Sequence, residues 1–239
     1  MKLFEKSQWI WVADGERADQ YAEFRDEISY GGKQTLLRLS CDSDYTLYVN
    51  GVYVASGQYG DFEHYKIYDT LDLTEYLREG KNELRFLVYH CGVGTSRYRP
   101  APAGLIYEAV ADGEIVTYSR GEILSRVSPA YDSGRQVFVS VQLGFTFFYD
   151  ATRENDEGYR PSVVVEKNCE FYPRPIPKAI LRERREIQQR TRYSDTHVLV
   201  DLGGETVGVP TLEVYSDTEQ TLTVTWGEHI ADGGVQRII

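Results

Sequence analysis

The amino-acid sequence predicts an all-β protein, a sandwich or jelly roll followed by the start of a second β-sandwich. Three observations carry this. Aromatic residues are abundant, with 19 Tyr and 9 Phe against a single Met, and side chains of this kind suit a pleated, half-buried surface. Short runs of alternating apolar residues recur along the chain between turn residues. No long stretch shows the 3.6-residue period of an amphipathic helix.

The first clear strand is 36–41, ended by the turn-like Asp42-Ser43-Asp44. The segment YTLYVNGVYVAS follows, with Asn50-Gly51 at its centre. An Asn-Gly pair suits a type I′ hairpin turn, because both central residues need positive φ. Pairing outward from it sets Val49 opposite Val52 and Leu47 opposite Val54, with Tyr48 facing Tyr53 on the other side. After an aromatic, polar loop at 58–68, Asp72-Leu-Thr-Glu-Tyr-Leu reads as one helical turn, capped by Asp72 or Thr74 and stopped by Gly80. Residues 83–89 alternate again and place Leu84, Phe86 and Val88 on one face. Further strands are expected at 104–111, 114–119, 136–143 and 145–149. Trp9 and Trp11 anchor the first strand in the core.

Tyr172-Pro-Arg-Pro-Ile-Pro reads as a stiff connector, since proline cannot donate to a ladder and favours extended geometry. It divides the chain into residues 1–177 and 178–239. The basic segment 178–192 is expected to be solvated, with its charges outward. Beyond it, 198–204, 212–215 and 221–226 read as strands of a second sheet. The stretch after 178 is short for an independent core, and Ile239 carries no closing signal, so a truncated domain is expected.

The formal net charge is −11. Such a surface repels phosphate backbones and anionic lipids, which argues against nucleic acid and membranes as partners and leaves neutral ligands open. Three cysteines without a CxxC spacing argue against a disulfide scaffold or a thiolate metal site. The first 15 residues lack a signal-peptide pattern and no apolar run is long enough to span a bilayer, so the chain as written is expected in the cytoplasm.

Several segments resemble the N-terminal modules of glycoside hydrolase family 78, the α-L-rhamnosidases. Tyr21-Ala-Glu-Phe-Arg is similar to the family's first strand entry. Arg38-Leu-Ser-Cys-Asp-Ser-Asp-Tyr-Thr-Leu-Tyr-Val-Asn-Gly, Tyr68-Asp-Thr-Leu-Asp-Leu-Thr-Glu-Tyr-Leu and Gly80-Lys-Asn-Glu-Leu follow the pattern of its first sandwich, which galactose-binding-like jelly rolls of other glycosidases share. Asp201-Leu-Gly-Gly-Glu-Thr-Val-Gly and Thr225-Trp-Gly-Glu-His-Ile-Ala-Asp-Gly-Gly resemble the sandwich that precedes the rhamnosidase catalytic barrel.

The resemblance implies a galactose-binding-like jelly roll over 1–177 and the opening of a second sandwich over 178–239. It implies a non-catalytic fragment of a bacterial, inverting α-L-rhamnosidase. The partner domain it implies is the catalytic (α/α)6 barrel of the same parent chain, and the implied glycan contains rhamnose. The acidic pair of that family lies in the barrel, so no catalytic residue is assigned here. Some relatives carry a calcium-dependent rhamnose-binding module of similar sandwich form; the resemblance leaves calcium open, and its ligands are not matched residue by residue in this chain. No cofactor or metal is therefore assigned. The alternative function is a free-standing carbohydrate-binding module.

Candidate ligand-binding residues come from the aromatic-polar loop and the segment Arg97-Tyr-Arg. Tyr59, Tyr65 and Tyr98 supply rings that stack on sugar C–H faces, while Asp61 and Arg97 supply planar groups for hydroxyls. The same tyrosines would also suit covering sheet edges or packing against a neighbouring domain. The acidic loop containing Asp150, Glu154, Asp156 and Glu157 reads as solvated. His90 beside Cys91 is no catalytic pair, because neighbours on a strand point to opposite faces.

Overall fold

A computed structural model of the protein describes residues 3–231 and 234–235. The chain forms two units, residues 1–178 and 179–239. In the first, the strands in chain order are β1 (Ile10–Trp11), β2 (Gln20–Tyr30), β3 (Thr35–Asp42), β4 (Asp44–Val49) and β5 (Val52–Gln58). Next come β6 (Tyr65–Asp72), β7 (Gly80–His90), β8 (Gly104–Ala111), β9 (Glu114–Tyr118) and β10 (Leu124–Val127). The short strands β11 (Phe138–Ser140), β12 (Gly144–Phe145), β13 (Arg160–Pro161), β14 (Val163–Val164) and β15 (Glu170–Pro173) complete it.

These strands build two facing sheets. One runs β14-β1-β8-β3-β6-β15, with β9 also paired to β8; the other runs β13-β10-β2-β7-β4-β5. The sheets close on each other because each presents one apolar face at period two. Phe24, Leu47, Val49, Leu84, Phe86 and Val88 come from the six-stranded sheet, and Leu37, Leu39, Leu105 and Tyr107 from the seven-stranded one. Phe86 stacks on Tyr107 across the interior, with ring centroids 4.6 Å apart. The Tyr107 hydroxyl stays satisfied by donating to Asp26 at 2.9 Å. Trp11 joins this core, whereas Trp9 packs with Phe4 and Ile106 in a smaller cluster.

The Asn50-Gly51 turn forms with φ of 50° and 78°, and Val49–Val52 and Tyr48–Tyr53 pair around it. Leu47 does not meet Val54, however. A bulge between Leu47 and Tyr48 on this ladder places Leu47 opposite Ala55 instead. Val54 is the extra residue, and it re-aims the outer half of β5 so that Ala55 and Gly57 face inward. The expected helical turn is a 3-10 turn at Thr74–Tyr76. Its N-cap is neither Asp72 nor Thr74 but Leu73, which makes no side-chain cap bond, while Asp72 accepts from the Thr74 amide at 2.9 Å. The turn ends at Leu77, before Gly80 opens β7.

The strands expected at 136–143 and 145–149 shrink to β11 and β12. These form an arm whose Val137, Val139 and Val141 face solvent. Among the described residues β11 and β12 pair only with each other, so their ladder has no further strand on which to extend. The proline-rich connector also departs from expectation. Its first residues form β15, which runs parallel to β6 with Tyr172 opposite Ile67 and Pro173 opposite Tyr68. Pro173 ends an edge strand, where a missing donor leaves no ladder bond broken.

In the second unit, β16 (Gln189–Arg192) pairs with β17 (Val198–Asp201), and β18 (Ile230–Ala231) with β19 (Gly234–Val235). Residues 212–215 and 221–226 are not strands. Alternation alone is insufficient there, because a strand needs a partner for its backbone groups and the described residues supply none. Asp232 and Gly233 of the final motif, and Ile239, lie outside the described residues.

Substituting Phe86→Ala should open a cavity at the centre of the first unit. We expect a loss of roughly 3–5 kcal/mol of unfolding free energy, measurable by urea denaturation followed through tryptophan fluorescence.

Candidate functional site

The candidate residues sit at the end of the sandwich where β3, β4 and β7 meet the loop 92–103. Asp42 closes β3 with its side chain 1% exposed, and Lys66 on β6 is equally buried. A carboxylate withdrawn from water in this way needs charged or hydrogen-bonding partners. Asp42 accepts from the Tyr98 hydroxyl at 2.7 Å, lies 2.9 Å from His90 Nδ1 and pairs with Lys66 at 3.4 Å. Lys66 also pairs with Asp61 at 2.6 Å, and Asp61 accepts the Ile67 amide at 2.9 Å.

Burial pushes the Asp42 carboxyl up, yet the His90 hydrogen bond and the Lys66 charge outweigh it and hold it below the ordinary value. Asp61 goes the other way, because burial outweighs its bond to Lys66. Burial also raises the Tyr98 hydroxyl, and the charge of Asp42 adds to the effect.

The structure therefore divides the five expected ligand residues. Asp61 and Tyr98 turn inward and spend their polar groups on the buried cluster. Tyr65 stacks on Tyr172 of the connector, centroids 4.0 Å apart and planes within 15°. Tyr59 lies 5.3 Å from the Arg174 guanidinium carbon. Only Tyr59, Arg97 and Tyr98 line one cleft, a narrow space of about 50 Å³ shared with Asp44, Tyr89 and Phe145. Edge-covering describes Tyr65, while Tyr59 serves both the connector and the cleft.

The connector is strapped down by a second buried carboxylate. Asp69 on β6 accepts from the Tyr45 hydroxyl at 2.5 Å and from Arg174 at 2.5 and 3.1 Å. Lys178 reaches the same carboxylate at 3.1 Å and donates to the Tyr45 hydroxyl. Lys178 is thus half-buried and bound, drawn in by Asp69 and the Tyr45 hydroxyl, whereas residues 179–190 are exposed, as expected of a solvated basic run. Gly57 makes the arrangement fit, since a Cβ there would come within 1.9 Å of the Tyr45 ring. Burial raises the Asp69 carboxyl, but hydrogen bonds from Arg174 and Tyr45, with the Lys178 charge, bring it below the ordinary value.

A larger cleft of about 650 Å³ lies between the 14–17 and 155–160 segments. Several of its polar groups are already engaged: Arg126 with Glu23 and Asn155, Gln20 with Trp11, and Arg160 with Asp14. In the acidic loop, Asp150 caps a 3-10 turn, Glu154 accepts from Tyr149 and Asp156 pairs with Arg25. Among the described residues no group of three or more His, Cys, Asp or Glu side chains is placed to hold a metal ion. No helix among them is long and apolar enough to cross a membrane.

Sequence reasoning missed the Asp42–Lys66 pair and the Asp69 strap. Lys66 alternates with apolar Ile67 on a predicted loop, and nothing local marks it as buried. The hairpin register did announce a second feature, the side-by-side Tyr48 and Tyr53 on the outer sheet face.

Solved structures share this fold. The family 78 rhamnosidase of Bacillus sp. GL1 superposes with a TM-score of 0.64 at 25% identity, over 72% of this chain and 20% of its own. The α-L-rhamnosidase of Dictyoglumus thermophilum gives 0.62 at 17% identity, over 83% of this chain and 26% of its own. That of Aspergillus terreus gives 0.56 at 16%, over 84% and 26%. The chain thus spans about a fifth to a quarter of the length of the rhamnosidases it matches. No protein-family model and no curated protein sequence matches it.

Asp69→Asn tests the strap. Because the folded carboxyl is held low, its contribution is present above the unfolded value of about 3.9 and fades as pH falls through the depressed folded value. The variant should lose roughly 3–5 kcal/mol at pH 7 and should lose less on acidification than the parent. Urea unfolding at pH 7 and pH 3 measures both.

Proposed function

We propose that this chain is the non-catalytic N-terminal portion of an α-L-rhamnosidase-like glycoside hydrolase. In this reading the jelly roll, residues 1–177, scaffolds a catalytic (α/α)6 barrel of the same parent chain. The segment 178–239 opens the sandwich that precedes the barrel, and the parent acts on a rhamnose-containing glycan. The observation that carries the reading is the likeness to the Bacillus enzyme, 25% identical over 72% of this chain.

Two features of the chain support it. The second unit exposes Val207, Tyr215 and Trp226, the kind of apolar surface that a neighbouring domain covers. The buried carboxylates Asp42 and Asp69 of the first unit are committed to bonds inside the sandwich, as suits a scaffold. Fold likeness by itself does not transfer an activity, so the assignment turns on what the parent gene encodes.

The test is to read the source gene beyond the codon for Ile239 and to assay the chain itself. We expect an open frame continuing for several hundred codons with a helix-rich, acid-bearing pattern. The 239-residue chain should leave p-nitrophenyl α-L-rhamnoside intact. A stop codon directly after Ile239 would overturn the reading in favour of a free-standing carbohydrate-binding module.

A further inference from the structure

We propose that the outer face of the six-stranded sheet, partly exposed over β7 and β4 and exposed on β5 at Tyr53 and Ser56, is a binding groove for an extended neutral glycan. This rests on the carbohydrate-related reading above and adds a site to it.

The groove follows from strand periodicity. On β4 the inward residues Tyr45, Leu47 and Val49 fill the core, so Asp44, Thr46 and Tyr48 must face outward. Their cross-strand neighbours on β7 are Tyr89, Leu87 and Arg85. On β5, Ser56 lies opposite Thr46 and Tyr53 opposite Tyr48. This floor runs roughly 14 Å along β4 at the usual rise per residue, long enough for a short oligosaccharide.

A wall stands beside the floor. Tyr131 stacks on Tyr21 at 4.3 Å, Tyr21 contacts Tyr89 at 4.6 Å, and Tyr149 closes on Tyr131 at 4.8 Å. At the far end, Leu143 and Phe145 of the arm share the small cleft with Tyr59 and Arg97. The arm is pinned there by the Ser96 amide, which donates to the Val141 carbonyl at 2.7 Å. The groove therefore reaches from Tyr53 to Arg97 and takes in part of the loop that the sequence singled out.

The lining chemistry selects the ligand. Tyr53 and Tyr149 remain 39% exposed, so their rings are available to stack on sugar C–H faces. Hydroxyls stand beside the rings, with Tyr53 and Ser56 at 3.1 Å and Thr46 and Ser56 at 3.4 Å. Each can exchange its neighbour for a sugar hydroxyl, because hydroxyls both donate and accept. The middle of the floor, Thr46, Ser56 and Leu87, is uncharged. The chain carries a net charge of −11, which repels polyanions. A neutral polysaccharide meets all of these conditions.

The experiment is native electrophoresis of the 239-residue chain through gels containing xyloglucan, galactomannan or arabinoxylan, with polygalacturonate as the anionic comparison. At least one neutral polysaccharide should retard the chain and polygalacturonate should not. Tyr53→Ala, at an exposed position, should weaken that retardation roughly tenfold, and Tyr48→Ala should do the same. Tyr65→Ala, outside the groove, should leave it unchanged. Near-ultraviolet circular dichroism will show that the variants keep the fold.

The proposal is overturned if no neutral polysaccharide retards the chain, or if Tyr65→Ala weakens retardation while the groove variants do not. Concentration-dependent doubling of mass in sedimentation, abolished by Tyr53→Arg, would give the face to a second copy and overturn it as well. An open frame past Ile239 combined with no retardation would remove the groove alone and leave the proposed function standing.

Discussion

The end of the sandwich where β3, β6 and β7 meet depends on one constraint: a carboxylate cannot lie buried without charged or hydrogen-bonding neighbours. Asp42 is such a group, and it gathers Lys66, His90 and Tyr98 from β6, β7 and the 92–103 loop. Those bonds tie the two sheets together where the hydrophobic core ends. They also engage two of the five residues that the sequence offers for a ligand. Once Tyr98 and Asp61 serve Asp42 and Lys66, their polar groups no longer point to solvent.

Asp69 repeats this arrangement at the sheet edge. The edge of a sheet is a row of unpaired backbone groups, and here β15 covers it before a ligand or another chain can. Arg174, Lys178 and Tyr45 then lock the connector onto the same carboxylate. A segment whose prolines suggest a stiff connector is paired and bonded within the first unit. The aromatic loop beneath it is spent in turn, with Tyr65 stacked on Tyr172 and Tyr59 beside Arg174.

The consequence for function is a shift of attention. Tyr59 and Tyr65 are engaged by the chain's own connector, and the proposed groove draws instead on Tyr53 and the hydroxyls beside it on the outer face of β4 and β5. The proposed scaffold role and the proposed groove are compatible on one sandwich, because a strand's two faces carry independent sets of side chains. The inner face of β4 holds the core through Leu47 and Val49, and its outer face presents Thr46 and Tyr48.

What the sequence determined by itself is local or periodic. The Asn50-Gly51 turn, the apolar face of Leu84, Phe86 and Val88, and the 3-10 turn after Asp72 were all legible, because turn chemistry and period-two burial act over a few residues. The tertiary structure alone decided the bulge at Leu47, the burial of Lys66, the parallel docking of β15 and the division of the five candidate ligand residues. Each of these depends on partners far apart in the chain, Asp42 with His90 and Asp69 with Arg174 among them. A charged side chain reads the same in sequence whether it meets water or a buried counter-charge, and only the fold brings the counter-charge to it.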